Sequence, residues 1–196
     1  MAAKTSPADA GATLEEFVSA RAAGRIVELI RGEIIEKGAP SAEHAAVETR
    51  LGARLEPYNR RHGVPGPGGW WILAKGELAY PGTHEVFRHD LCGFRRDLHP
   101  EQPAGMPMRQ RPEWVCEVLS RSSARVDLVK KQRTLHAHGV EHYWIIDPDA
   151  ETLAVFHHKP AGYLLALAST TGETVRAEPF EEIELVLGDL FAREAR

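Results

Sequence analysis

The chain has 196 residues, of which 43% are hydrophobic, and a formal net charge of −4. This length suits one domain with a hydrophobic core and excludes two large domains. No apolar run reaches the roughly 20 residues that a membrane-spanning helix needs, and the first residues lack the basic and apolar regions of a signal peptide. We therefore expect an intracellular, cytoplasmic protein without membrane contact, with a disordered tail over residues 1–12 and one domain over residues 13–196.

Helical and extended segments alternate through the first part of the chain. Thr13 begins a capping box for a short helix that Gly24 ends. Two β-rich runs follow, and the pair Arg31-Gly32 between them predicts a two-residue hairpin turn. Ser41 is then predicted to cap a longer helix that reaches about Arg61.

The rest of the chain predicts a mixed sheet. Strands are expected at residues 70–73 and 85–87, around Asp90, and at 114–118 and 142–146, with a helix from about Ser123 to His138. The strand, helix and strand from Trp114 to Ile146 should form a right-handed crossover between parallel strands. Short β segments from 152 to 187 and a final helical turn complete an α/β (α+β) fold, a mixed sheet flanked by helices with an N-terminal helix and hairpin.

Two carboxylates stand inside apolar, strand-like segments. Glu117 lies in Trp114–Val118, and Asp90 lies in a second extended segment upstream. A buried carboxylate is costly unless a partner compensates its charge. If the two strands are neighbours, both acids can reach one metal ion, which predicts a Mg²⁺-dependent nuclease core.

Lys131 is the third candidate residue. In the predicted helix it lies three residues after Leu128 and four before Leu135, on the side of the apolar stripe. A lysine there would face the sheet close to the end of the Glu117 strand. The alternative is an ion pair of Lys131 with Asp127 on a solvated helix face, worth only about 0.3–0.5 kcal/mol.

Basic residues are concentrated around these candidates. From Arg88 to Arg133 the chain carries ten basic and six acidic residues, a local charge of +4 against −8 for the remainder. A basic surround of an acid pair suits a phosphodiester substrate. Ordinary solvated arginines would give the same count.

Several ordered motifs resemble one family. They are Glu28-Leu29-Ile30-Arg31-Gly32-Glu33, His44, the Arg-x-Asp segment that ends at Asp90, Glu117-Val118-Leu119-Ser120, Asp127-Leu128-x-x-Lys131 and Gly139-Val140-x-x-Tyr143-Trp144-Ile145-Ile146-Asp147-Pro148. From about Thr13 to Phe191 the chain is similar to the bacterial Uma-type restriction endonucleases of the PD-(D/E)XK superfamily. The resemblance implies a restriction-endonuclease-like core, divalent-metal binding and hydrolysis of nucleic acid.

The resemblance also implies a ligand set and a mechanism. Asp90, Glu117 and the backbone carbonyl of Val118 would hold Mg²⁺ or Mn²⁺ through oxygen ligands, and the metal would activate a water and polarise the scissile phosphate. Lys131 would orient that water or offset developing charge. Further candidates are Glu33 and His44 as catalytic residues, each against an ordinary surface role, and Arg88, Arg95 and Arg96 as phosphate contacts.

The chain departs from the family pattern at two positions. His89 precedes Asp90 where the family usually has proline, and that proline is structural, so Asp90 keeps its role. The superfamily lysine would stand two residues after Glu117, where this chain has Leu119. Lys131 matches the position to which the family has moved the lysine, which favours its functional role over the solvated alternative.

Other functions and sites remain open from the sequence. The fold could serve as a catalytically silent module that binds nucleic acid or a protein, or as a hydrolase of another phosphodiester or nucleotide. DNA is the expected substrate, and a homodimer is expected from the need to cut two strands. The pairs His136/His138 and His157/His158 are not expected to chelate a metal, because the two side chains of each pair point in different directions.

Overall fold

The computed structural model of this chain describes residues 11–61, 66–82, 84–120 and 126–191. The first half of the described chain contains α1 (Leu14–Ala22), β1 (Val27–Ile30), β2 (Glu33–Glu36), α2 (Ala42–Leu55), β3 (Trp70–Ala74), β4 (Glu77–Tyr80), β5 (Glu85–Arg88) and β6 (Leu91–Arg95). The second half contains β7 (Trp114–Val118), a π-helical turn (Val126–Lys131), α3 (Gln132–Ala137), β8 (His142–Asp147), β9 (Thr152–Lys159), β10 (Gly162–Thr170), β11 (Thr174–Val175), β12 (Leu185–Val186) and α4 (Leu187–Phe191).

Two sheets dominate the fold. The main sheet has six strands in the order β10-β9-β8-β7-β6-β3, and the small sheet has four in the order β2-β1-β5-β4. Every pairing in both sheets is antiparallel except β7 with β8, which are parallel. None of the helices in the described ranges is both long and apolar enough to cross a bilayer.

The main sheet is packed on both faces. One face, with Trp114 and Trp144, packs against Leu51 of α2 and against Phe180. The opposite face packs against the small sheet and α3, and Phe87 and other apolar side chains of that side fill the space. Because side chains alternate along a strand, Trp114 and Cys116 face α2, whereas Glu117 points to the layer between the two sheets.

Most sequence predictions of local structure are confirmed. The capping box at Thr13 is formed, with Glu16 as its partner. The β1–β2 hairpin has its turn at Arg31 and Gly32, and both residues have positive φ. The parallel crossover pairs β7 with β8. The disordered tail stays a prediction, since residues 1–10 lie outside the described ranges.

The structure differs from the predicted elements in three places. The helix that Ser41 caps ends at Leu55 rather than about Arg61, and a 3₁₀ turn follows (Glu56–Tyr58), because Pro57 lacks the N–H that an α-helix needs. Strand β4 was not predicted. The segment predicted as short β strands after residue 152 begins with one long hairpin, β9 with β10, whereas β11 and β12 are short as predicted. Residues 121–125 of the predicted helix at Ser123, and the side chains of Asp127 and Leu128, lie outside the described part.

Two indole rings, those of Trp114 and Trp70, pack over Gly93 in the main sheet. A Cβ on Gly93 would lie 3.1 Å from Cε3 of both Trp114 and Trp70, and both rings are held against Phe180. We expect Gly93→Ala to lower the free energy of unfolding by about 1–3 kcal/mol, because neither ring can yield to the added methyl group. Urea unfolding of the two proteins measures the difference.

The same substitution at Gly52 is the control. Gly52 lies in α2, and an added Cβ there would meet nothing within 4 Å. Gly52→Ala should raise stability by about 0.5–1 kcal/mol, since alanine is the better helix former. Equal effects at the two glycines would contradict the packing argument.

Candidate active site

The register of the main sheet brings Asp90 beside Glu117. Strands β6 and β7 are antiparallel with Leu91 opposite Cys116, so the residue before Leu91 lies next to the residue after Cys116. The backbone N–H of Val118 donates to Asp90 Oδ2 at 2.9 Å. Both carboxylates are buried, as predicted. Glu117 lies inside β7, whereas Asp90 lies in the bend directly before β6 and not inside a strand as predicted.

Glu117 has one oxygen that is saturated and one that is not. Its Oε1 accepts from Lys131 Nζ at 3.1 Å and contacts His89 Nδ1 at 2.5 Å. Its Oε2 is buried and has no hydrogen-bond partner among the described residues. Burial raises the pKa of Glu117 to about 7, and the charge of Lys131 opposes this only in part. An unpartnered, buried carboxylate oxygen of this kind is poised to accept a cation or a donor.

Lys131 joins acids from the two sheets. Its ammonium group is fully buried and lies 2.9 Å from Glu28 Oε1 as well as 3.1 Å from Glu117 Oε1. Glu28 also accepts from the backbone N–H of Arg88 at 2.8 Å. Burial acts to raise the pKa of Glu28, but the charges of Lys131 and Lys37 outweigh it and lower the pKa. The solvated alternative for Lys131 is therefore wrong.

Asp90 is surrounded by basic side chains. Lys75 Nζ lies 2.7 Å from Asp90 Oδ1, and His44 Nε2 lies 3.2 Å from the same oxygen. Burial acts to raise the pKa of Asp90, but His44, Lys37 and Lys75 together hold it well below its usual range. Lys75 Nζ is also 2.6 Å from Glu48 Oε2 on α2. An ammonium group thus sits between two carboxylates.

His89 connects Glu117 to Tyr80. Its Nδ1 lies 2.5 Å from Glu117 Oε1 and its Nε2 lies 2.6 Å from Tyr80 Oη. Burial and then the charge of Lys131 lower the pKa of His89 to about 3, so the ring is neutral near pH 7. A neutral imidazole has one donor and one acceptor. Nδ1–H therefore donates to the Glu117 carboxylate, and Nε2 accepts from the Tyr80 hydroxyl.

A pocket of about 420 Å³ opens onto this cluster. Its lining combines acidic and basic side chains from the small sheet, α2 and the segments between strands: Glu28, Lys37, His44, Lys75, Arg88 and Asp90. Glu117 and Lys131 lie behind this lining, with no exposed side-chain surface. Solvent and a ligand can therefore reach Asp90 more directly than Glu117.

The structure brings together some of the predicted site residues. Asp90, Glu117, Lys131 and His44 share one cluster, and Val118 contacts Asp90 through its backbone N–H. The side chain of Arg88 lines the pocket.

Three other predicted residues lie elsewhere. Glu33 is exposed beside the hairpin turn and does not line the pocket. Arg95 is about 17 Å along β6 from Asp90 and pairs with Asp97. Arg96 stacks on Trp71, 3.2 Å from the ring centroid, and donates to a backbone carbonyl.

Sequence reasoning missed several members of the cluster. Glu28 carries the same signal as Glu117, an acid inside an apolar strand, but was not among the predicted site residues. His89 stands at the family's proline position, which hid its contacts with Glu117. Lys75 and Glu48 come from a turn and a helix with no local pattern that sets them apart.

The donor atoms fit a hard divalent cation. His44, Glu48 and Asp90 offer ligand atoms that all lie within 4.8 Å of one another. Glu117 Oε2 is also unpartnered, although Glu117 is not one of that group. Carboxylate oxygens are the ligands that Mg²⁺ and Mn²⁺ prefer. The ammonium group of Lys75 lies between Asp90 and Glu48, in the position that a metal cation would take. The Lys75 side chain is 30% exposed, so it can turn towards solvent.

Comparisons with known proteins identify the family and the fold. The family model Uma2, described as "Putative restriction endonuclease", matches residues 14–188. Four solved chains match the structure. One is a "putative nuclease belonging to DUF820" from Anabaena variabilis, 21% identical, with a TM-score of 0.65 over 91% of this chain and 97% of that one. No curated protein matches the chain.

At 21% identity the Anabaena structure supports the fold alone, a mixed sheet flanked by helices as predicted. The family model covers far more than half of the chain, including Glu28, Asp90, Glu117 and Lys131. This chain therefore belongs to the Uma2 family of restriction-endonuclease-like proteins.

Proposed function

We propose that this protein is a divalent-metal-dependent endonuclease that hydrolyses phosphodiester bonds in nucleic acid, with DNA as the substrate. The observation that carries the proposal is the buried pair Asp90 and Glu117, with Glu117 Oε2 unpartnered and Lys131 in contact with Oε1. The family supports the reaction class. A homodimer, which would let two sites cut two strands, stays a prediction.

Asp90 and Glu117 are the proposed ligands of Mg²⁺ or Mn²⁺, with the Val118 carbonyl as the third ligand expected from the sequence. The ion would supply Lewis-acid polarisation of a phosphoryl oxygen and a lower pKa for an attacking water. Glu48 is a further acid within reach of Asp90, through Lys75. We leave Glu33, Arg95 and Arg96 out of the site because of where they lie.

The protein's own residues hold the reacting groups. Lys131 keeps a positive charge beside Glu117 and Glu28 and can stabilise negative charge that develops on the phosphate. His89 and Tyr80 fix the Glu117 carboxylate from the interior. His44 and Arg88, which line the pocket, are the proposed contacts for substrate phosphate oxygens.

Replacing Glu117 tests the proposal directly. Glu117→Gln keeps the shape of the side chain and removes the charge. We expect nicking of supercoiled plasmid to fall by at least about a hundredfold, because loss of a group that only orients a metal ligand already costs about 10- to 100-fold. Calorimetric titration with Mn²⁺ should show the loss of binding in the same variant.

Glu113→Gln is the matched control. Glu113 is another buried acid just before β7, and it accepts from the backbone N–H of Arg95 at the far end of the strand. This variant should nick and bind Mn²⁺ like the wild type, even if it is less stable. Equal nicking by the Glu117 and Glu113 variants would refute the assignment.

One observation favours a second function, a nuclease-fold module that binds nucleic acid without cutting it. Lys75 already occupies the position of a cation between Asp90 and Glu48. If its hold on Asp90 excludes the metal, the wild type will neither bind Mn²⁺ nor nick plasmid. The titration therefore separates the two functions.

Removal of the Lys75 charge should strengthen metal binding. Lys75→Gln takes away a cation that competes for Asp90 Oδ1, so we expect the Kd for Mn²⁺ to fall at least about fivefold, the size of the repulsion between two unit charges at about 4 Å in water. Lys159→Gln, at an exposed lysine, is the control and should leave the Kd unchanged. Weaker Mn²⁺ binding in Lys75→Gln would contradict this account.

The role of Tyr80 can be measured as stability. Tyr80→Phe keeps the ring packed against Phe87 and takes the hydroxyl partner from His89 Nε2. A buried acceptor without its partner costs about 1–3 kcal/mol, so the urea midpoint should drop by a corresponding amount. An unchanged midpoint would show that His89 is held by Glu117 alone.

A further inference from the structure

Two histidines and a glutamate converge away from the active site. His142 on β8 lies directly opposite His157 on β9, and their ring centroids are 5.1 Å apart. Glu178 reaches them from the segment between β11 and β12. One ligand atom from each of the three lies within 4.8 Å of those of the other two. Directly opposite residues of antiparallel strands share a face of the sheet, so both rings point the same way.

His157 and Glu178 already form a pair, and His142 does not take part in it. His157 Nδ1 lies 2.9 Å from both carboxylate oxygens of Glu178. His142 is 7% exposed, and its Nδ1 is buried without a hydrogen-bond partner among the residues that the structure describes. A structural ion pair explains two of the three residues but leaves this buried nitrogen unsatisfied, which costs stability.

The segment that carries Glu178 is anchored. Trp144 Nε1 donates to the Glu178 carbonyl at 2.8 Å, and Phe180, two residues later, fills the core between Trp114 and Trp144. The glutamate is therefore held at its position by the core and not only by His157. The side chains of His157 and Glu178 are about one quarter exposed, so an ion can enter from solvent.

We propose that His142, His157 and Glu178 form a second cation site, for a late first-row divalent metal of which Zn²⁺ is the representative. Two imidazoles and one carboxylate are a donor set that zinc takes in proteins, with the fourth position left to water. Donors around a tetrahedral zinc lie about 3.3 Å apart, so His157 and Glu178 need to separate only slightly from 2.9 Å.

This site is distinct from the active site in position and chemistry. Along β8, His142 is about 10 Å from Ile145, which is the residue opposite Glu117, and it shares the other face of the main sheet with Trp144. The active site offers mainly carboxylate oxygens and suits Mg²⁺ or Mn²⁺, whereas imidazole donors select zinc-like ions. Bound metal would cross-link β8, β9 and the segment of Glu178.

Calorimetric titration of Zn²⁺ into the untagged protein, with millimolar Mg²⁺ present to occupy the active site, tests the proposal. We expect one equivalent to bind, and both His157→Gln and Glu178→Gln to weaken binding at least tenfold. His158→Gln is the matched control, because His158 is the next residue on β9, faces the other way and stacks on His136. It should bind Zn²⁺ like the wild type.

Absence of Zn²⁺ binding to the wild type, or equal binding to the His157 and His158 variants, would overturn the proposal. If a variant does not fold, the absorption spectrum of Co²⁺ bound to the wild type is measured instead. Co²⁺ should then give the visible bands of a four-coordinate ion in the presence of excess Mg²⁺, and bands of an octahedral ion would count against the site.

Discussion

The fold depends on a lysine ammonium group buried between two sheets. Lys131 has no exposed surface and contacts Glu28 of the small sheet and Glu117 of the main sheet. Each of these charges alone would be costly in the interior, and removal of one partner leaves another uncompensated. The three groups therefore fix how the sheets and the helical segment meet, and the pocket at Asp90 is a product of that arrangement.

Side chains alternate along each strand, so neighbouring residues face different layers of the fold. On β7, Trp114 and Cys116 pack towards α2, and Glu117, one residue on, points into the layer between the sheets. The antiparallel register with β6 then puts Asp90 at its side. On β8 the same rule turns His142 with Trp144 away from that layer. One sheet thus presents buried carboxylates on one face and a pair of imidazoles on the other.

The sequence predicted the residues that break a local pattern and missed those that meet only in space. Glu117 interrupts an apolar strand, Asp90 directly precedes one, and Lys131 interrupts an apolar helix stripe, so each could be found from its neighbours in the chain. Lys75 belongs to the site because it contacts Asp90, fifteen residues away in the chain. His142 is notable only because the strand register places it opposite His157. Register between distant strands is a tertiary property, which single-sequence periodicity does not encode.

The π-helical turn from Val126 to Lys131 restricts insertions and deletions in this part of the chain. Such a turn holds one residue more than the α-helix would, often at functional sites. Deletion of one residue there would restore regular α geometry and turn the preceding backbone by about 100° relative to Lys131 and Leu135. Relatives that keep this lysine should accordingly tolerate changes of residue type in this turn far better than insertions or deletions.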